Sequence, residues 1–394
     1  MLEGSVRRSK ERIRITVQLV DADTGYRLWT DTYDEPLADM FSVQQSIADE
    51  IVGALSAQFS DATGEELYRG GTRDVEAYDL YLTGRQKWAT REMPLLREAV
   101  HHFEQAIARD SGFALAWSGL ADALDALAWR RDSTALSRID DAKQAAQHAI
   151  LLDPNLAEGW ASLGVLLTEF DRDMRFAELA LQRAVELKPS YASAQLWLSN
   201  AILYSGRPRD ALESARRAIE LDPLSGVGKS SLAVTLFSLG QWEEARQAYE
   251  RFRDAGFASQ TTPALKLVTG AAAFGYTADE AGENARAWAV LSDYEAPDEA
   301  EVIGRAMLLP EHREAARVVL LDMANRGLRP RDLAELHVAL REVDRAMDLL
   351  EVAFAEHDPY LLLLGIDPTF DPLRDEARFI RLLQSLGVPN GVPR

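Results

Sequence analysis

Cysteine is absent from all 394 positions, so neither a disulfide framework nor a thiolate metal site can form. Histidine is scarce. The six, His101, His102, His148, His312, His337 and His357, include no pair four residues apart and no HExxH, which removes the usual helical zinc site. They are expected to be exposed helix positions. No apolar run approaches the roughly 20 residues that a membrane helix needs, and none follows the basic start MLEGSVRRSKERIR as a secretory signal requires. Positive charge is in deficit: 43 Lys and Arg stand against 63 Asp and Glu, a net −20. Nucleic acid and anionic membranes call for the opposite balance. The expectation is a soluble, cytoplasmic chain that favours a basic or apolar polypeptide partner.

Catalytic and cofactor signals are equally thin. There is no GxSxG. Gly228-Lys229-Ser230 resembles the end of a phosphate-binding loop, but Pro223 occupies the required first glycine and a helical stretch precedes it. No cofactor, no metal and no enzymatic activity are expected.

What is present begins with a short β pattern. Apolar and polar residues alternate from Ile13 to Leu19, which predicts a strand with one buried face. Asp21 to Gly25 is turn chemistry, and Tyr26 to Tyr33 reads as the return strand. Asp39 is the expected N-cap of a helix through Phe41, Val43, Ile47, Ile51 and Leu55. Residues 1–6 read as the middle of a further strand. The five basic residues Arg7, Arg8, Lys10, Arg12 and Arg14 read as a solvated hairpin edge.

From about residue 76 a period emerges. The turns at Ser111, Pro154, Pro189, Pro223 and Phe257 are spaced by 43, 35, 34 and 34 residues. Before each turn stand three packing residues at −12, −8 and −5. They are Ala99, Phe103 and Ala106, then Ala142, Ala146 and Ala149, then Ala177, Leu181 and Ala184. Ala211, Ala215 and Ala218 follow, then Ala245, Tyr249 and Phe252. Antiparallel helices approach closely only where small residues face each other. Trp117 and Trp160 fall on packing positions and are expected in the core, whereas Trp88 and Trp197 are free to face a groove. Residues 259–394 repeat the pattern loosely. Leu267 to Phe274 read as one helix, and Glu301 to Leu309 with Arg313 to Asn325 as a pair. Leu336 to Leu340 with Ala346, Leu350 and Phe354 make another pair, ahead of a terminal helix, Phe379 to Leu386.

The 34-residue register resembles tetratricopeptide repeats over residues 76–258. Leu2 to Leu55, through Leu2-Glu3-Gly4-Ser5-Val6-Arg7-Arg8, Thr24-Gly25-Tyr26 with Leu28-Trp29, and Phe41-Ser42-Val43-Gln44, resembles the second half of a TolB-amino-terminal-like (FlgO-like) domain. That family occurs upstream of such repeats in bacterial signalling proteins of the adenylate-cyclase and winged-helix types. In the family a first half precedes this segment, so the expectation is that an upstream portion is missing. The fold class expected is mainly α: a tetratricopeptide-type α-solenoid behind a small α/β element. The divisions are residues 1–60, a linker at 61–75, regular repeats at 76–258 and degenerate repeats with a capping helix at 259–394.

In such an array the first helix of each pair lines the concave face. The resemblance therefore implies a binding groove of Tyr78, Tyr81, Arg85 and Trp88 in repeat one. Asp122 and Asp125 follow in repeat two, and Glu158 in repeat three. Repeat four supplies Leu196, Asn200 and Leu203, and repeat five Phe237. The function expected is a non-enzymatic protein-interaction scaffold in bacterial signalling that binds a peptide or protein segment. The alternatives are a regulatory fragment of a larger cyclase or transcription regulator, and a module that forms a homodimer through the hairpin edge.

Overall fold

A computed structural model describes residues 2–8, 12–20, 27–36, 71–130, 132–241, 243–245, 247–248, 282 and 297–391. The expected helices at Asp39 to Leu55 and Leu267 to Phe274, and packing residues Tyr249 and Phe252, lie outside these residues. The chain divides into two units. The first holds residues 1–130 and 140–159, the second residues 131–139 and 160–394.

In the first unit, strands β1 (Leu2–Arg8), β2 (Arg12–Val20) and β3 (Arg27–Pro36) form an antiparallel sheet in that order. The alternation works as read. Ile13 is buried, while Arg12 and Arg14 point to the exposed face and both engage Asp34 of β3. Those two guanidiniums, Arg14 first, hold the Asp34 carboxyl below its usual range. Thr16 and Thr32 are cross-strand partners with hydroxyl oxygens 3.2 Å apart.

The helices of this unit are α1 (Val75–Ala89), α2 (Met93–Arg109), α3 (Ala114–Trp129) and α4 (Ile139–Leu152). Asp74 starts α1 by accepting from the backbone N–H groups of Glu76 and Ala77. Pro94 sits in the first turn of α2, where its missing N–H costs nothing. Helix α1 packs on α2, and α2 on α3. The Phe103 ring makes this possible. It lies between two glycines, and a Cβ at Gly84 or Gly119 would come within 2.7 or 2.5 Å of the ring. Ala99 and Ala106 flank it, fully buried.

Helix α5 (Ala157–Leu166) leads into the second unit. It continues as a π turn, Leu167–Asp171, that ends on Arg172 in the left-handed region, φ 55°. Next come α6 (Met174–Leu187), α7 (Ala192–Tyr204), α8 (Pro208–Leu221) and α9 (Gly226–Ser238). Every expected packing position of α4, α6 and α8 is buried: Ala142, Ala146, Ala149, Ala177, Leu181, Ala184, Ala211, Ala215 and Ala218. A Cβ at Gly164 would lie 2.5 Å from Leu181 Cγ, so the small residue is required at that contact. These close-packed helical hairpins are the α-solenoid class that the 34-residue register predicts.

Later in the unit, α10 (Pro297–Leu308) pairs with α11 (Arg313–Asn325), and α12 (Pro330–Ala339) with α13 (Val343–Ala355). Ile303, Leu320, Met323, Leu333 and Leu336 share one core. Two 3-10 turns, Pro359–Leu363 and Pro368–Leu373, precede α14 (Ala377–Leu386), whose Phe379, Leu382, Leu383 and Leu386 are buried. Phe354 departs from the expected packing pattern. It is exposed, and Ala353 is the buried residue instead, because the apolar face of α13 runs through Ala346, Leu350 and Ala353.

Candidate interaction face

The first-repeat residues come together along one side of α1. Tyr78 and Tyr81 are both partly exposed, with ring centroids 6.2 Å apart. Tyr81 also meets Phe113 edge-on at 5.2 Å and Phe103 at 5.9 Å. Burial pushes its hydroxyl pKa up to about 12, against the pull of Arg85. Both aromatics thus pack on the core of Ala77, Ala106, Phe113 and Ala116 while staying partly exposed.

Further along, Trp88 is buried and donates its indole N–H to the Asp122 carbonyl at 3.1 Å. The Asp122 carboxylate is fully shielded and accepts from Arg85 Nη1 at 2.9 Å. Asp125, one turn on, is buried too. The acidic stretch expected in repeat two is therefore part of the interior, and α1 and α3 are held together through it. Glu158 is partly exposed and stands near Tyr81. The guanidinium of Arg85 lies over the Trp88 ring, 4.2 Å from its centroid, and that of Arg91 lies over the same ring at 3.7 Å. Arg91 belongs to the connection between α1 and α2 and takes φ 60°. The repeat register did not select it. Its only sequence signal is the irregular Arg91-Glu-Met-Pro94 insertion.

Trp117 is half-buried rather than in the core, stacked edge-on against His148 at 4.6 Å and bonded through Nε1 to the Ser111 carbonyl. Trp160 is likewise partly exposed, and Trp197 is buried. Indole is too large for the small-residue contacts that close each hairpin, so the alanines and glycines take those positions.

In the second unit the lining residues are less open than the register suggests. Leu196, Leu203 and Phe237 are buried, and the Asn200 Oδ1 accepts from the Ser231 hydroxyl at 2.6 Å, which links α7 to α9. Beyond α7, a Cβ at Gly206 would lie 2.7 Å from Pro389, and the Gly391 N–H donates to Gly365 at 2.9 Å. Residues 387–391 thus lie against the turn that ends α7. Lys229 and Ser230 are within α9, whose N-cap Ser225 accepts from the Gly228 N–H at 3.1 Å. Gly228 is in a helical turn, where a Cβ would lie 3.0 Å from Ile219 Cδ1.

His337 is not the exposed histidine the sequence led us to expect. It is partly buried, with Nδ1 2.7 Å from Glu342 Oε2, and Glu342 also accepts from Arg317. Burial holds the imidazole below its ordinary value of 6.5, outweighing the Glu342 attraction, and Arg345 and Arg317 push the same way. A lowered folded-state pKa means that the unfolded chain binds the proton more readily. The stability His337 contributes is therefore present above 6.5 and is lost as pH falls below it. Scanning calorimetry should show the melting temperature falling through that window, with a flatter slope in His337→Gln.

Among the described residues no helix is long and apolar enough to cross a membrane, and no group of His, Asp and Glu has the arrangement of a metal site. No family profile matches the chain. A curated relative named "Putative adenylate cyclase 3", from Rhizobium meliloti (strain 1021), is 33% identical over 169 residues. That match covers 43% of this chain and 29% of the relative, so the chain spans less than a third of that protein's length. Similar solved structures are tetratricopeptide-repeat proteins. TTC0263 of Thermus thermophilus is 18% identical, with 50% of this chain and 98% of that one covered at a TM-score of 0.39. PilF of Pseudomonas aeruginosa is 18% identical, with 62% and 98% covered at a TM-score of 0.37.

Proposed function

We propose that this chain is a non-enzymatic interaction scaffold whose α1–α3 face binds a segment of another protein. The observation that carries the reading is the pair Tyr78 and Tyr81. Each is anchored in the core yet partly exposed on the first helix of the repeats, which is how protein-binding surfaces present aromatic anchors. The setting we favour is bacterial signalling. The chain would serve as the regulatory portion of a larger effector, with the N-terminal strands belonging to a TolB-like half-domain. The stretch shared with a protein named as an adenylate cyclase supports that setting.

Site-specific photocrosslinking tests the face. A benzophenone side chain at Tyr78 should give a discrete heavier adduct in cells that express the protein. The same group at Leu151, exposed on α4, should give none. Adducts of equal yield at both positions, or none at Tyr78, would remove the assignment.

A further inference from the structure

The α1–α3 face offers a partner the opposite charge from the one its sequence suggests. The two aspartates that make the stretch look acidic are buried, and the Asp122 carboxylate is taken by Arg85. Arg91 is partly exposed and lies on the Trp88 ring, and its guanidinium makes no hydrogen bond or ion pair among the described residues. Arg85 and Arg130 stand close by, so three guanidiniums share this end of the face with two shielded carboxylates. The left-handed backbone of Arg91 is one that a residue with a side chain occupies at a cost, and the stack on Trp88 helps to offset that cost. Desolvation draws the Arg91 pKa down to about 10, so an incoming anion would meet a guanidinium already stripped of much of its water.

Resting on the reading that this face binds a polypeptide, we propose that Arg91 receives an acidic side chain of the partner segment, while an apolar side chain of the same segment seats against Tyr78 and Tyr81. The helical rise from Tyr81 to Trp88 is about 10 Å, which about three residues of extended chain would span. The motif expected is an aromatic residue followed three positions later by Asp or Glu. The basic segment favoured by the net charge of −20 is then the wrong partner for the Arg91 end of this face.

The probe is fluorescein-Gly-Ser-Phe-Ser-Ala-Glu-Glu-Ala-Ser-Gly, titrated with the full chain and followed by anisotropy. A matched peptide carries Lys in place of both Glu. The acidic peptide should bind, the Lys peptide should bind at least about tenfold more weakly, and Arg91→Gln should cost the acidic peptide about tenfold, the size of one charge-assisted hydrogen bond. Arg91→Lys should fall between. Circular dichroism checks that the variants are folded. If Arg91→Gln is not, the Glu-against-Lys comparison and the loss of affinity with added salt decide on the unaltered chain. Equal binding of the two peptides, or a folded Arg91→Gln that binds normally, overturns the inference and leaves the face itself standing. Binding of neither peptide up to about millimolar also overturns it, and the Tyr78 crosslink then judges the face separately.

Discussion

Replacing Arg331 with Met should destabilise the second unit by about 3–5 kcal/mol, the range for removing one partner of a buried ion network. Arg331 is fully buried at the start of α12. Its guanidinium meets Glu335, Asp332 at 3.4 Å and Asp367 at 3.0 Å. All three carboxylates are buried as well. Without the arginine they would face one another with no cation between them. Arg329 pairs with Asp332 from a more exposed position at 2.8 Å, too far out to serve Glu335 and Asp367. Asp367 is also the N-cap of the second 3-10 turn, accepting from the Thr369 N–H at 3.0 Å. The network therefore ties α12 to the segment that leads into α14. Urea unfolding should show the loss as a lower midpoint. Arg331→Lys should recover part of it, because an ammonium is charged but lacks the planar fork that reaches several carboxylates at once. A midpoint unchanged in Arg331→Met would show that the network contributes nothing net.

Phe103→Ala should cost the first unit a similar amount, about 3–5 kcal/mol, by transfer and cavity terms together. The ring fills the space between α1, α2 and α3, and the facing residues Gly84 and Gly119 have no side chain with which to fill the gap. Those glycines show the same fit from the other side. A methyl group at either would meet an aromatic ring that has no flexible end to give way. Denaturant titration followed by tryptophan fluorescence checks the expectation, with Trp88 and Trp117 reporting on this unit. A loss below about 1 kcal/mol would mean that the helices close over the gap.

The repeat was legible because close packing writes itself into sequence. Ala142, Ala177 and Ala211 must be small because two helices touch there, so their spacing of 35 and 34 residues is a spacing of contacts. The alternation at Ile13 to Ile15 was legible for the same kind of reason, since a strand has two faces and one is covered. Burial of charge was not. Arg331, Glu335 and Asp332 look in sequence like an ordinary solvated helix face. Their interior position depends on Asp367 arriving from a distant part of the chain. The candidate face was legible by half. Tyr78 and Tyr81 follow from the register of α1, but Arg91 depends on the backbone of a connection, φ 60°, which helical periodicity does not encode. Leu196, Leu203 and Phe237 were placed on the correct helices, and their burial is a matter of tertiary neighbours that a repeat pattern leaves out.

The contact between Pro389 and Gly206 bears on how the second unit is made. In a simple repeat array each hairpin touches only its neighbours, so the ends fray independently and the chain zips up as it is synthesised. Here residues 387–391 return to the turn after α7, across most of the unit's sequence. Closing so long a loop is slow, and the contact is made late. Once made, it turns a stack that could peel from one end into a ring of dependencies, in which α7 cannot loosen without releasing residues 387–391. On the ribosome the earlier hairpins would wait, incompletely locked, until that segment has emerged.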